Sequence, residues 1–137
     1  MLASASSAPI AAPDDPRLEG WYHTIELGGG IVTKGVFDHR PILDRFGLPA
    51  SLAGKSALDV GTGDGFFAFE LERRGAERVT AIDVPTLDDI DWTPTMRSRL
   101  APDFLAGQPW RDRFQLAHAT LRSRVEYRPL SVSGTSS

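Results

Sequence analysis

Ala57-Leu58-Asp59-Val60-Gly61-Thr62-Gly63-Asp64-Gly65-Phe66-Phe67, followed by Val79-Thr80-Ala81-Ile82-Asp83, decides the reading of this chain. A short apolar run at 56–60 has the length and composition of a buried strand. Gly61, Gly63 and Gly65 follow it directly, so the backbone can turn tightly and approach a ligand with no Cβ in the way. From Phe66 to Arg74 a helix is predicted, burying Phe67, Ala68 and Leu71, with Glu70 one turn from Arg74 and Gly75 as its stop. A second strand at 78–82 leads into Asp83, a carboxylate placed to accept hydrogen bonds from ribose hydroxyls.

Two ligand classes share this logic. A dinucleotide needs glycines at the first, third and sixth positions of the turn, so that its pyrophosphate sits on the helix N-terminus. Here the sixth position counted from Gly61 is Phe66, and the glycines fall at the first, third and fifth. Asp59 and Asp64 flank the turn, and their charge would repel a pyrophosphate while suiting a sulfonium with an α-amino group. The sign of the site thus favours S-adenosyl-L-methionine over NAD or FAD. Within the turn Asp64 reads as a helix N-cap.

The rest of the chain frames this unit. Residues 1–17 have the Ala/Ser/Pro-rich composition of a disordered leader, and 133–137 that of a disordered tail. An arm at 18–54 contains Gly28-Gly29-Gly30 as a turn between two extended pieces. A short helix follows in it, with Asp38 as N-cap, Pro41 in the first turn, Gly47 as stop, and Ile42, Leu43 and Phe46 inward. Residues 55–132 form the β-α-β-α-β unit. Its second helix is predicted at 113–124 and its third strand at 125–130, where Pro129 argues for a sheet edge. The connection at 84–111 is far longer than the usual 2–6 or so residues of an α/β loop. It has room for a short helix at 95–100, and for Trp92 and Trp110 as a lid or as core anchors.

Composition narrows the possibilities. The 137 residues, 41% apolar, suffice for one domain. No cysteine is present, which removes disulfides, thiolate metal sites and a cysteine nucleophile. His23, His39 and His118 have no metal-ligand spacing. His23, beside Trp21 and Tyr22, is a candidate to act on a substrate or to be packed structurally, whereas His39 and His118 read as solvated. The net charge of −3 carries no basic stripe, so nucleic acid is not indicated by charge. The leader has neither a positive start nor an unbroken apolar run, which argues against a signal or a membrane span and for a cytoplasmic protein.

The stretch from Leu58 to Gly65 resembles the first motif of class I S-adenosyl-L-methionine-dependent methyltransferases, and Asp83 resembles their ribose-binding acid. The resemblance implies an α/β, Rossmann-like seven-stranded sheet. In it Gly61, Thr62, Gly63 and Gly65 line the cofactor, Asp59 faces its methionine end, and Asp83 holds the ribose. The arm segments Trp21-Tyr22-His23-Thr24-Ile25, Thr33-Lys34-Gly35 and Gly54-Lys55 are similar to bacterial methyltransferases related to the tRNA wobble-uridine carboxymethyltransferase group, from which no RNA substrate is carried over. By the family's strand order, 3-2-1-4-5-7-6, residues 55–132 would hold only the 3-2-1 half. That expectation makes the chain a truncated product or fragment without complete catalytic machinery. Its methyl acceptor is unknown, no residue is assigned as a general base, and the first strand has an open edge suited to self-association or a partner chain.

Overall fold

The computed structural model describes residues 7–131; the tail at 133–137 and the first six residues of the leader lie outside the described residues. The fold is α/β, built on three parallel strands. The quoted stretch forms the central pair: β5 (Ser56–Val60) and β6 (Arg78–Asp83) run side by side with Ser56 opposite Arg78 and Val60 opposite Ile82. On the other side of β6 lies β7 (Glu126–Pro129), with Thr80 opposite Glu126 and Asp83 opposite Pro129. The order β5-β6-β7 puts Pro129 on an edge, as its missing amide requires.

Between β5 and β6 runs α1 (Phe66–Arg73), and α4 (Pro109–Leu121) precedes β7. Successive right-handed crossovers that advance in one direction put both helices on one face of the sheet. There Phe69 stacks on Phe114 with ring centroids 5.1 Å apart, and Ala68, Ala81, Phe114 and Ala117 are fully buried. α4 begins four residues before the predicted start, because Pro109 fits a first helical turn, and it ends at Leu121 with Arg122 left-handed.

The opposite face departs from expectation. β5 was expected to be buried on both sides, yet Leu58 is 59% and Val60 53% exposed, since no described element covers them. Its inner residues, Ala57 and Asp59, are half-buried on the helix side.

The arm is a set of short pairings clasped onto the helices. β1 (Trp21–His23) pairs in parallel with β4 (Gly35–Phe37), a pairing that the sequence did not announce. β2 (Glu26–Gly28) and β3 (Ile31–Val32) pair antiparallel around the glycine turn, as expected. Thr33, fully buried, joins these layers: its hydroxyl donates to His23 O (2.7 Å) and accepts from Ile25 N (2.7 Å). Trp21, Ile25, Leu27 and Ile31 share one core with Phe66, Phe69 and Phe114.

Two local expectations are corrected. Within 1–17, residues 7–17 are not a loose leader. Ile10 is buried and its amide donates to Thr120 Oγ1 on α4, a long-range contact that composition does not show. The helix after Asp38 is a 3₁₀ segment, Arg40–Phe46, irregular at Ile42. Asp38 Oδ1 does accept from Arg40 N, but only Leu43 of the expected trio packs against the core, while Phe46 stays 43% exposed. A 3₁₀ segment with a kink builds no continuous apolar stripe. Arg74 pairs with Glu70 at 2.7 Å, as the one-turn spacing predicts, and it also donates to Leu48 O and Pro49 O, tying down the loop before β5.

The long connection contains a 3₁₀ turn (Leu87–Asp89) and two single-turn helices, α2 (Pro94–Arg97) and α3 (Pro102–Leu105). Trp92 Nε1 donates to Leu87 O, and Trp110 packs edge-on against Tyr22, so both tryptophans act as anchors. Among the described residues no helix is long and apolar enough to cross a membrane.

Candidate functional site

Parallel strands expose their C-terminal ends together, and the crevice there is where open α/β sheets take ligands. In this chain that end holds a cavity of about 330 Å³, lined by Val60, Gly61, Ile82, Asp83, Ile90 and Leu130, with Asp89 and Asp91 at its wall. Its size lies at the lower end of the roughly 300–1,000 Å³ of small-molecule sites. The lining combines apolar side chains, suited to a flat base, with carboxylates, suited to hydroxyls or a cation and adverse to phosphate.

The turn from Gly61 to Gly65 is held from behind. Gly61 and Thr62 both donate their amides to Ile82 O, at 2.9 and 3.0 Å. Gly63 N donates to Asp83 Oδ2 at 2.7 Å, while Asp83 Oδ1 accepts from Val84 N at 2.8 Å. Each of these oxygens keeps a lone pair, so Asp83 is fixed in orientation and still able to accept from two hydroxyls. A Cβ placed on Gly61 or Gly63 would meet no protein atom within 4 Å, which leaves open space in front of the turn.

Asp59 lies on the helix side of β5, away from the cavity lining. Thr62, itself buried, donates its hydroxyl to Asp59 Oδ2 at 2.8 Å. Burial pushes the Asp59 carboxyl above its ordinary value, and the negative charge of Asp83 adds to the push, against the hydrogen bonds from Thr62 and the Ala68 backbone. A folded pKa above the unfolded one means that the folded state holds the proton more tightly, so stability falls as pH rises through that range. Asp59→Asn, neutral at every pH, is therefore expected to raise the melting temperature at pH 7. Its advantage should vanish below about pH 4, where wild type is protonated in both states. Thermal scans of both proteins across pH would show this, and an advantage independent of pH would contradict the burial of charge at Asp59.

Asp64 differs most from its predicted role. Gly65, not Asp64, occupies the N-cap position of α1, and the Asp64 side chain turns the other way, into the arm. It is fully buried, and it accepts from Tyr22 N (3.2 Å), His23 N (2.8 Å) and the His23 ring at Nδ1 (2.6 Å). His23 is thereby fixed, with its ring stacked on Phe66 at 5.2 Å and 24°. His39 is not simply solvated either: its ring lies 5.3 Å from His23, 5.3 Å from Phe46 and 6.0 Å from Phe37.

Of the residues singled out in the sequence, Gly61 and Asp83 line the cavity, and Gly63 is bonded to Asp83. Thr62 and Asp59 form a pair behind the turn, and Gly65 is packed against Phe69 and Phe114. The acidic wall at Asp89 and Asp91 was missed, although three of the four residues at 88–91 are aspartates, in the connection that follows β6. The Asp64–His23 contact was missed because its partners are 41 residues apart. No protein-family model matches this chain, and no curated protein shows a significant match to it.

Proposed function

We propose that the chain binds S-adenosyl-L-methionine in a partial Rossmann-like unit and belongs to a cytoplasmic methyltransferase. The observation that carries this reading is the cavity at the C-terminal ends of β5, β6 and β7, where Gly61 and Asp83 meet an apolar and acidic lining. The residues fit the cofactor. Asp83 offers two fixed acceptors for the ribose, Val60, Ile82, Ile90 and Leu130 offer walls for adenine, and the unfilled space at Gly61 and Gly63 lets the chain approach the backbone of the turn. Asp59, costly to ionise where it lies, becomes easier to ionise beside a cation. When bound, the cofactor supplies an electrophilic methyl group, and the protein contributes orientation of the acceptor toward it.

Calorimetric titration tests the reading. S-adenosyl-L-methionine and its demethylated product should bind, and NAD should not, since the acidic wall opposes a pyrophosphate; tighter binding of NAD would overturn the assignment. Asp83→Ala removes the ribose acceptor and should weaken cofactor binding by about 1.5–3 kcal/mol, the range for hydrogen bonds to a charged group. An unchanged affinity in a folded variant would remove Asp83 from the site.

The exposure of Leu58 and Val60 on the edge strand favours a second reading, a non-catalytic unit that pairs through β5 with another chain. Sedimentation separates the two: a monomer that binds the cofactor supports the first, and a stable oligomer blind to it the second.

A further inference from the structure

A carboxylate that is fully buried and hydrogen-bonded to one nitrogen of a histidine fixes the ring's tautomer, and so decides what the other nitrogen can do. Asp64 Oδ1 lies 2.6 Å from His23 Nδ1, and its second oxygen is filled by the amides of Tyr22 and His23. The carboxylate can only accept, so Nδ1 carries a proton, and in the neutral ring Nε2 keeps its lone pair. Nε2 makes no hydrogen bond to any described residue, and it is not among the buried side-chain atoms that lack a partner. His118 provides the internal contrast: its Nε2 lies 2.9 Å from Val125 O, a partner that can only accept, so there the proton sits on Nε2.

The surroundings of His23 are rings. Tyr22 lies 4.8 Å from it edge-on, His39 5.3 Å and Phe67 6.0 Å, while Phe37 lies 5.1 Å from Tyr22. Tyr22, Phe37 and Phe46 are each more than two-fifths exposed, so the cluster presents ring surface to solvent beside the glycine turn. Aromatic rings favour flat aromatic partners in stacked or edge-on contact.

We propose that His23 is the proton acceptor of the methyl-transfer reaction, held in its working tautomer by Asp64 as a positioning residue, and that the methyl acceptor is a hydroxyl carried on an aromatic ring. This rests on the methyltransferase reading above. In the step, the O–H bond of the acceptor breaks and the Nε2 lone pair forms the new N–H bond. The former bonding pair stays on oxygen, which would use it to form the O–C bond to the methyl group as the bond from that carbon to the sulfonium sulfur breaks with its pair left on sulfur, and the charge of the imidazolium is balanced by Asp64. A phenolic hydroxyl suits such a base, since it ionises near pKa 10 rather than the roughly 16 of water.

The test uses the full chain labelled with ¹⁵N, with long-range proton–nitrogen correlation of the three histidine rings at neutral pH. His23 should be protonated at Nδ1 and bare at Nε2, and His118 the reverse; a proton on His23 Nε2 overturns the proposal. Phenol, used as the probe, should shift the His23 Nε2 resonance in a saturable manner while leaving His118 unmoved, and toluene should not shift Nε2. An equal response to both compounds, or none, overturns the assigned acceptor class. In Asp64→Asn the His23 proton should move to Nε2, or divide between the two nitrogens, and the phenol response should fall at least tenfold. Should that variant fail to fold, the wild-type tautomer and probe response still decide. Failure to bind S-adenosyl-L-methionine with these signatures intact would sink the methyltransferase reading, whereas cofactor binding with the wrong tautomer would sink only the role of His23.

Discussion

Gly65→Ala is expected to destabilise the protein by about 3–5 kcal/mol, combining left-handed backbone strain with overpacking of a filled core. Gly65 has φ +96°, and a Cβ there would lie 2.4 Å from Phe69 Cε2 and 2.7 Å from Phe114 Cδ2. Those rings stack on each other across the two helices, and Phe114 is wholly buried, so neither can withdraw without opening the core. Against the 5–15 kcal/mol or so of a typical domain, such a loss takes a large share. Gly63→Ala is the matched control: φ is +59° and the space around a Cβ is open, so only the conformational cost of about 1–2 kcal/mol applies. Urea unfolding of both variants measures the difference. Equal losses at the two positions would show that close packing at Gly65 is not what demands glycine.

The elements around Gly65 were legible because their signals are local. An apolar run, a glycine turn, an amphipathic stretch ending in Gly75 and a second apolar run lie within 28 residues, and each agrees with its neighbours. Pro129 declared an edge for the same reason: its missing amide is a property of one residue. What sequence could not show was the partner of each surface. The alternation in Leu58, Asp59 and Val60 reads equally well as a strand covered on both faces, and only the packed chain reveals that the Leu58 and Val60 side is open. Ile10 looked like part of a loose leader because its anchor, Thr120, is 110 residues away.

Three aspartates near one turn show where such reading stops. Asp59, Asp64 and Asp83 have the same side chain, and the sequence sets Asp59 and Asp83 at the ligand and reads Asp64 as a helix N-cap. Packing separates them. Asp83 lines the cavity with its orientation fixed by Gly63, Asp59 is paired behind the turn with Thr62, and Asp64 is turned fully into the arm. The direction of each side chain follows from the pleat of β5, from the end of β6 and from a left-handed pair of glycines flanking Asp64. Of these, the glycine-flanked aspartate has the least local signal, because its orientation depends on what the arm offers to meet it.

Asp64→Ala should accordingly cost about 3–5 kcal/mol, although among the described residues the one side chain that Asp64 bonds is the His23 ring. Removing the carboxylate, itself fully buried, takes the acceptor from the amides of Tyr22 and His23 and from the His23 ring N–H, and each orphaned donor costs about 1–3 kcal/mol. The loss should be concentrated in the arm, since β1 is held to the turn by this one side chain and to β4 by only a short parallel pairing. Hydrogen exchange can localise it: the Tyr22 and His23 amides should lose protection, while Leu58 to Val60, paired with β6, should keep theirs after allowance for the global change in stability. Asp64→Asn keeps an oxygen for the two amides and loses only the ring contact or its tautomer, so its cost should be smaller by about half or more. If both variants were as stable as wild type and the two amides remained protected, the arm would be held to the glycine turn by apolar packing alone, and the buried carboxylate would have no structural task.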